Sequence, residues 1–158
     1  MSLFLDVVPV SRAVEVVRST ARPAGTEEVR LEDALHRVLA DDVRAGHDLP
    51  GFDRSVVDGY AVKASETTGA SEAIPAMLSL KGRIEMGRAP PGTVGPGTCW
   101  YIPTGGVLPA GADAVAMIEY SEAVEDEVLV QRPVAPGENV LSRDEDFATG
   151  AVVLPKGR

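Results

Sequence analysis

The sequence predicts an α+β fold, with N-terminal helices followed by a mostly β block that has more strand than helix. Three observations lead there. Helical apolar spacing is confined to the N-terminal part of the chain. The remainder breaks into short runs rich in Val, Ile, Leu and Tyr, separated by Gly, Pro and acidic turns. The 158 residues include 16 Gly and 12 Pro, which suits many turns and short strands better than a helical bundle.

The elements follow in order. Val10, Ala13, Val14 and Val17 form the i, i+3, i+4, i+7 stripe of a first helix. Ser11 is its candidate cap, without the Glu or Gln three residues later that completes a capping box. "RPAG" at residues 22–25 stops it. A second helix is expected where Leu31, Ala34, Leu35, Val38 and Leu39 mark one face, flanked by extended pieces near Val29 and Val43. "GHDLPGFD" then ends the helical period. Strands are expected in "YAVKA", "AMLSLKGRIEM", "TCWYIP", "AVAMIEYSEAV" and "EVLVQRPV". "EAVEDEVLV" reads as a hairpin with Glu125, Asp126 and Glu127 at its tip, and a last strand covers Ala151 to Leu154.

Composition bounds the function. An apolar fraction of 44% supports a core, and aromatic residues at 4% mean that Val, Ala and Leu must build it. The formal net charge of −9 argues against nucleic acid and against an anionic membrane surface as partners. An anionic small molecule would need local help from Arg, from backbone N–H groups or from a bound cation. The single cysteine, Cys99, excludes an internal disulfide and suits a reducing cytoplasm. Nothing basic stands beside it, so a buried, inert thiol is expected. The N-terminus lacks the basic region of a signal peptide, and no apolar run approaches the roughly 18 residues of a membrane span. His36, placed within the second helix, and His47 in the next turn are too isolated to act as paired metal ligands.

Three stretches hold the candidate chemistry. In "GFDRSVVDGYAV", residues 51–62, Asp53 and Ser55 are expected to make local turn hydrogen bonds. Asp58 is different, because apolar residues flank it on both sides and an unpaired carboxylate is costly there. In "IPTGGVLPAGADAV", residues 102–115, Thr104 offers a hydroxyl, and Gly105 and Gly106 would let backbone N–H groups converge on an anion, although composition alone favours an ordinary Gly-rich loop between strands. In "SRDEDFATG", residues 142–150, Arg143 stands beside Asp144, Glu145 and Asp146, a carboxylate cluster that suits a hard cation such as Mg²⁺, although taken alone it reads better as a solvated acidic turn.

Taken in order, these stretches resemble one family. "FDRSVVDGYAV" is similar to the Phe-Asp-x-Ser-x-x-Asp-Gly-Tyr-Ala-Val signature of molybdopterin molybdenumtransferases, the MoeA and gephyrin E-domain family. "GRAPPGTVGPGTCWYIPTGGVLPAGADAVAMIE" resembles that family's glycine-proline segment and the Thr-Gly-Ala-x-x-Pro-x-Gly-Ala-Asp-Ala-Val that follows it. "GENVLSRDEDFATGAVVLPKG" resembles its Gly-Glu-Asp segment, which ends in a Leu/Phe-Pro-x-Gly turn. "LEDALHRVLADDV" resembles its N-terminal helix, which leads into an inserted domain.

The resemblance implies an enzyme late in molybdenum cofactor assembly. Such enzymes insert molybdate into adenylylated molybdopterin with a divalent cation, Mg²⁺, and work as homodimers with the site between subunits. It implies that Asp58, Thr104 and Asp146 are active-site residues. Because molybdate and the nucleotide are anions, Asp58 and Asp146 are expected as cation ligands or water organisers. Gly105, Gly106 and Arg143 are expected to meet the anions. It further implies one domain from residues 1–45 with 142–158, and an inserted, mostly β domain from 46–141. The pterin-binding and C-terminal domains of the family would lie beyond this chain, which is then expected to supply half a site.

There are departures from the family pattern. Leu141 stands where an Arg is typical, and Asp144 where a Gly is, which lowers the positive charge available to an anion. This favours a rival expectation, a non-catalytic dimerisation or scaffold module.

Overall fold

The computed structural model describes residues 7–22 and 24–158. The reading of the extreme N-terminus falls largely on residues 1–6, outside the described residues. One α-helix, α1 (Val10–Thr20), opens the chain, and ten strands carry most of the remainder. These are β1 (Val43–Arg44), β2 (Arg54–Ser55), β3 (Gly59–Val62), β4 (Ala76–Arg83), β5 (Thr98–Ile102), β6 (Ala114–Met117), β7 (Ser121–Val124), β8 (Glu127–Val130), β9 (Val140–Leu141) and β10 (Val152–Leu154).

The first helix forms where its stripe requires it, but Pro9 occupies the N-cap and no side chain caps it, so Ser11 lies inside the helix. No residue of α1 is buried. The second helix does not form. Its sequence yields only a 3₁₀ turn at Leu31–Asp33, and His36 takes a left-handed φ of 67°. Leu31, Leu35 and Val38 are all more than two-thirds exposed. A short helix draws its stability from a packed apolar face, and this stripe has none among the described residues.

Strands form within the expected apolar runs, but "AVAMIEYSEAV" is not one strand: a 3₁₀ turn at Ile118–Tyr120 divides it into β6 and β7, at opposite edges of the sheet. Six form one sheet in the order β6-β3-β5-β4-β8-β7, in which β4 and β5 are parallel and the other neighbours antiparallel. The β7–β8 hairpin turns on Glu125 and Asp126, with Glu125 left-handed, while Glu127 already pairs with Val124.

The sheet is buried on both faces at its centre. Tyr60 and Val62 of β3 join Leu78, Cys99, Ala116, Val128 and Val130 on one side. Ala61 joins Ile84, Ile102 and Val115 on the other. All four residues of β3 are buried, which is why "GYAV" reads as a continuous apolar run. Burial pushes the Cys99 thiol up to about 12, so it is inert, as its surroundings in sequence imply.

Two short ladders stand apart from this sheet. β1 pairs with β10, and β2 with β9, both antiparallel. Leu39 and the last turn exchange backbone bonds, Leu39 N–H to Arg158 O at 2.9 Å and Gly157 N–H to Leu39 O at 2.9 Å. The architecture is therefore mostly β with one α-helix among the described residues, rather than the two-helix α+β arrangement expected.

Gly59 is fixed by the sheet. A Cβ there would lie 2.1 Å from the backbone oxygen of Ala116 on β6. Gly59→Ala is expected to destabilise the protein by at least about 3 kcal/mol, because neither backbone can move without breaking the β3–β6 ladder. Thermal unfolding measures it, and a melting temperature equal to wild type would contradict the close approach.

Candidate functional site

The segment from Asp48 to Asp58 has little regular structure of its own, yet two distant loops hang on it. From its N-terminal end, Leu49 O accepts from the N–H groups of Asp146 (2.9 Å) and Phe147 (3.1 Å), and Pro50 O accepts from Asp144 (2.9 Å). Asp53 O accepts from Leu108 N–H (2.9 Å), and Ser55 O accepts from Gly105 N–H (2.8 Å). The Ser55 N–H donates to Gly106 O (3.1 Å), and the Val56 N–H to Asn139 O (3.1 Å). The loop after β5 and the loop around β9 are thus registered against one piece of chain.

Asp58 ends that piece. Its Oδ1 accepts two hydrogen bonds from Thr104, from the backbone N–H at 2.7 Å and from the hydroxyl at 2.9 Å. These donors, the amide first, hold the Asp58 carboxyl below the usual carboxylate range, and the positive charge of Arg83 acts in the same direction. Asp58 is exposed and ionised, and its Oδ2 accepts no hydrogen bond among the described residues.

Asp146 lies at the opposite end of the same segment, attached to it through its backbone. Its exposed carboxylate accepts no hydrogen bond among the described residues. Asp58 and Thr104 are therefore brought into direct contact, while Asp146 is joined to them only through the 48–58 segment. Among the described residues no three His, Cys, Asp or Glu side chains converge to hold a metal.

The anion-binding expectations change. The N–H of Thr104 donates to Asp58, that of Gly105 to Ser55 O, and that of Gly106 to Pro103 O at 2.9 Å. All three amides are used inside the protein, so the turn presents no backbone nest. Arg143 is also engaged. Its Nε donates to Asp48 at 2.6 Å and its Nη2 lies 2.5 Å from the same carboxylate, which leaves Nη1 outside the pair.

Ser55 makes the local turn bonds expected of it, with Oγ donating to Val57 O at 2.5 Å and accepting from Val57 N–H at 3.2 Å. Asp53 does not. It accepts from the Arg143 N–H at 2.7 Å, across ninety residues of sequence.

Sequence reasoning missed Asp48. Its Oδ1 accepts from the Thr149 amide (2.8 Å) and hydroxyl (2.6 Å), and its Oδ2 takes Arg143. The same two-donor clasp that Thr104 makes on Asp58 recurs here. Arg83, beside Asp58 in charge but distant in sequence, was missed as well.

With this geometry in hand, comparison with known proteins gives the family. A family model described as the MoeA N-terminal region (domain I and II) matches residues 8–158, and the chain belongs to that family. It is 40% identical over 154 residues to a molybdopterin molybdenumtransferase of Bacillus subtilis, covering 95% of this chain and 36% of that protein. A putative molybdopterin biosynthesis protein of Methanocaldococcus jannaschii is 38% identical, with 99% of this chain and 39% of that protein covered. Among solved structures, the crystal structure of a molybdopterin biosynthesis moeA protein from Pyrococcus horikoshii OT3 aligns with a TM-score of 0.87 and 38% identity. That alignment covers 96% of this chain and 40% of the other. The chain thus spans well under half the length of these relatives. No helix among the described residues is long and apolar enough to cross a membrane.

The Asp48 clasp generates a pH prediction. Its donors, with the Thr149 hydroxyl first, lower Asp48 from 3.8 to about 2. A carboxylate depressed on folding contributes stability above its unfolded value, and that contribution is lost as pH falls through the folded one. The melting temperature of wild type should therefore exceed that of Asp48→Asn by a constant margin above about pH 5. The margin should shrink between 3.8 and about 2. A margin independent of pH would show that the charge of Asp48 adds nothing.

Proposed function

We propose that this chain is the N-terminal part of a molybdopterin molybdenumtransferase and contributes part of the site at which molybdate enters adenylylated molybdopterin. The observation that carries the reading is the Asp58–Thr104 clasp, which fixes an ionised carboxylate with one oxygen unengaged just before β3. Family membership and the names of the relatives support the reaction class.

Under this reading Asp58 and Asp146 hold a divalent cation, Mg²⁺, together with water and substrate phosphate. When bound, the ion would neutralise phosphate charge and polarise the bond to the departing nucleotide. Thr104 keeps the Asp58 carboxylate oriented with its second oxygen outward. Asp48 holds the Arg143 guanidinium, whose Nη1 is available to an anionic substrate. The net charge of −9 makes such local help necessary.

Residues 1–45 with 142–158 would form one domain, a division supported by the β1–β10 ladder, with 46–141 inserted between its parts. The uncovered apolar stripe of α1 supports a homodimer, the state the family resemblance implies. Cytoplasmic localisation accompanies the same reading.

A second reading has one observation behind it. The Thr-Gly-Gly amides and two nitrogens of Arg143 are satisfied internally, as they would be in a binding or scaffold module without chemistry.

Asp58→Asn separates the two in the longest natural form of the protein. Asn keeps an Oδ1 that accepts both Thr104 bonds but removes the charge. Molybdate-dependent turnover is expected to fall about a hundredfold or more, with the melting temperature little changed. Unaltered turnover, or no turnover in wild type, would favour the scaffold.

A further inference from the structure

The two edges of the six-stranded sheet are finished differently. On β6, the Val115 N–H donates to Glu138 O at 3.0 Å, and the Val115 carbonyl accepts from the Asn139 side-chain amide at 2.8 Å. The loop before β9 therefore covers that edge. β7 forms the other edge and, among the described residues, pairs only with β8.

The register shows which groups β7 leaves over. The Gln131 N–H donates to Tyr120 O at 2.9 Å, and Val124 pairs with Glu127 across the turn. Backbone groups alternate in direction along an antiparallel strand, so Glu122 and Val124 turn theirs toward β8 and Ser121 and Ala123 turn theirs outward. The Ser121 N–H already donates to Ile118 O in the preceding 3₁₀ turn. The Ser121 carbonyl and both backbone groups of Ala123 remain unpaired among the described residues. The hairpin that carries them is held in place. β8 pairs with β4 from Ala76 to Ser79, and the Leu80 N–H donates to Asp126 O at the tip at 2.8 Å. Just beyond, β4 bulges, with Leu80 opposite Cys99 and Arg83 opposite Tyr101, so three steps on β4 match two on β5.

The two faces of the edge differ in chemistry. On one, the row Leu78–Val128–Ala123 runs from the buried core to an exposed alanine, where one more apolar side chain would extend the core. On the other, Glu122 and Glu127 are exposed. With Glu119, Glu125 and Asp126 they bring five carboxylates to residues 119–127, and none of these is in an ion pair among the described residues. No Lys or Arg occurs between Arg88 and Arg132. Arg132 lies over the Tyr120 ring, 5.0 Å from its centroid, and Arg83 over the Tyr101 ring at 4.2 Å. A second copy of the chain would bring the same carboxylates to the edge, and like charges oppose that pairing. A basic strand would instead add charge complementarity to the backbone bonds.

We infer that the edge of β7 is a docking strand for an extended basic segment of a partner protein, in which Lys or Arg alternates with apolar residues. The segment's backbone pairs with Ala123 and the Ser121 carbonyl. Its basic side chains lie beside Glu122, and its apolar ones beside Ala123. The inference does not depend on the reaction proposed for Asp58.

Fluorescence anisotropy tests it, with the natural full-length protein and a labelled acetyl-Lys-Val-Lys-Val-Lys-Val-Lys-amide as the probe. Acetyl-Lys-Lys-Lys-Lys-Val-Val-Val-amide is the control of equal composition. The alternating peptide is expected to bind below millimolar concentration, to bind better than the control, and to slow amide hydrogen exchange across β7. Glu122→Lys, at an exposed position, is expected to weaken it about tenfold or more with the melting temperature unchanged. Equal binding of the two peptides, no binding at millimolar concentration, or binding that ignores Glu122→Lys or leaves exchange across β7 unchanged would overturn the inference. Slow exchange across β7 before any peptide is added would assign the edge to a second copy or to another part of the chain, and would overturn it as well. Because the readout is binding and not turnover, either result leaves the outcome of Asp58→Asn to stand by itself.

Discussion

The structure depends on one hydrogen-bonded segment, residues 48–58, whose backbone and carboxylates receive the loops after β5 and around β9. A loop of glycine and proline has little to hold it in place by itself, because its backbone groups must find partners or face water. Here the partners are supplied in sequence order along one piece of chain: Asp48 for Thr149 and Arg143, Leu49 for Asp146, Asp53 for Arg143 and Leu108, Ser55 for Gly105, and Asp58 for Thr104. The sheet anchors the segment at one end through β3, and the β2–β9 ladder steadies its middle. The candidate site is a by-product of that registration. Asp58 and Thr104 meet where the loop after β5 donates its first amide.

Much of the sheet was legible in the sequence. Strand runs of Val, Ile, Leu and Tyr bounded by glycine and proline report burial directly, and "GYAV" reads as doubly buried because β3 is. The second helix was not legible, since a helical stripe states which face would pack but not whether a surface exists to receive it. Leu31, Leu35 and Val38 carry the period and remain exposed. The hairpin tip was read one residue too long for a similar reason. Acidic residues mark a turn by composition, whereas the pairing of Val124 with Glu127 is fixed by geometry.

The site was legible in part. Asp58 stood out because a carboxylate among apolar residues needs a reason, and two donors from Thr104 supply it. The amides of Gly105 and Gly106 were assigned to an anion because glycines free the backbone. Their real partners, Ser55 O and Pro103 O, are set by the fold and leave no local mark. Asp48 and Thr149 are about a hundred residues apart, and nothing in either neighbourhood announces the other. Asp144 shows the opposite case. It stands where the family resemblance places a glycine, and its φ of 60° is the conformation a glycine adopts most easily.

The bulge on β4 makes the parity of residue number a structural property. Arg83 faces the tyrosines, and its neighbour Ile84 is buried with Ile102 and Val115 on the far side. Both assignments hold only because residues 81–83 contain one residue more than the opposing stretch of β5. Removing one of residues 81 and 82 would restore a regular ladder and leave Arg83 and Ile84 on the faces they now occupy, whereas straightening the bulge without a deletion would send an arginine into the core and an isoleucine into water. At the bulge, shortening by one residue is therefore a smaller disturbance than shortening by two, a rule that acts on where the chain can be cut and leaves residue identity aside.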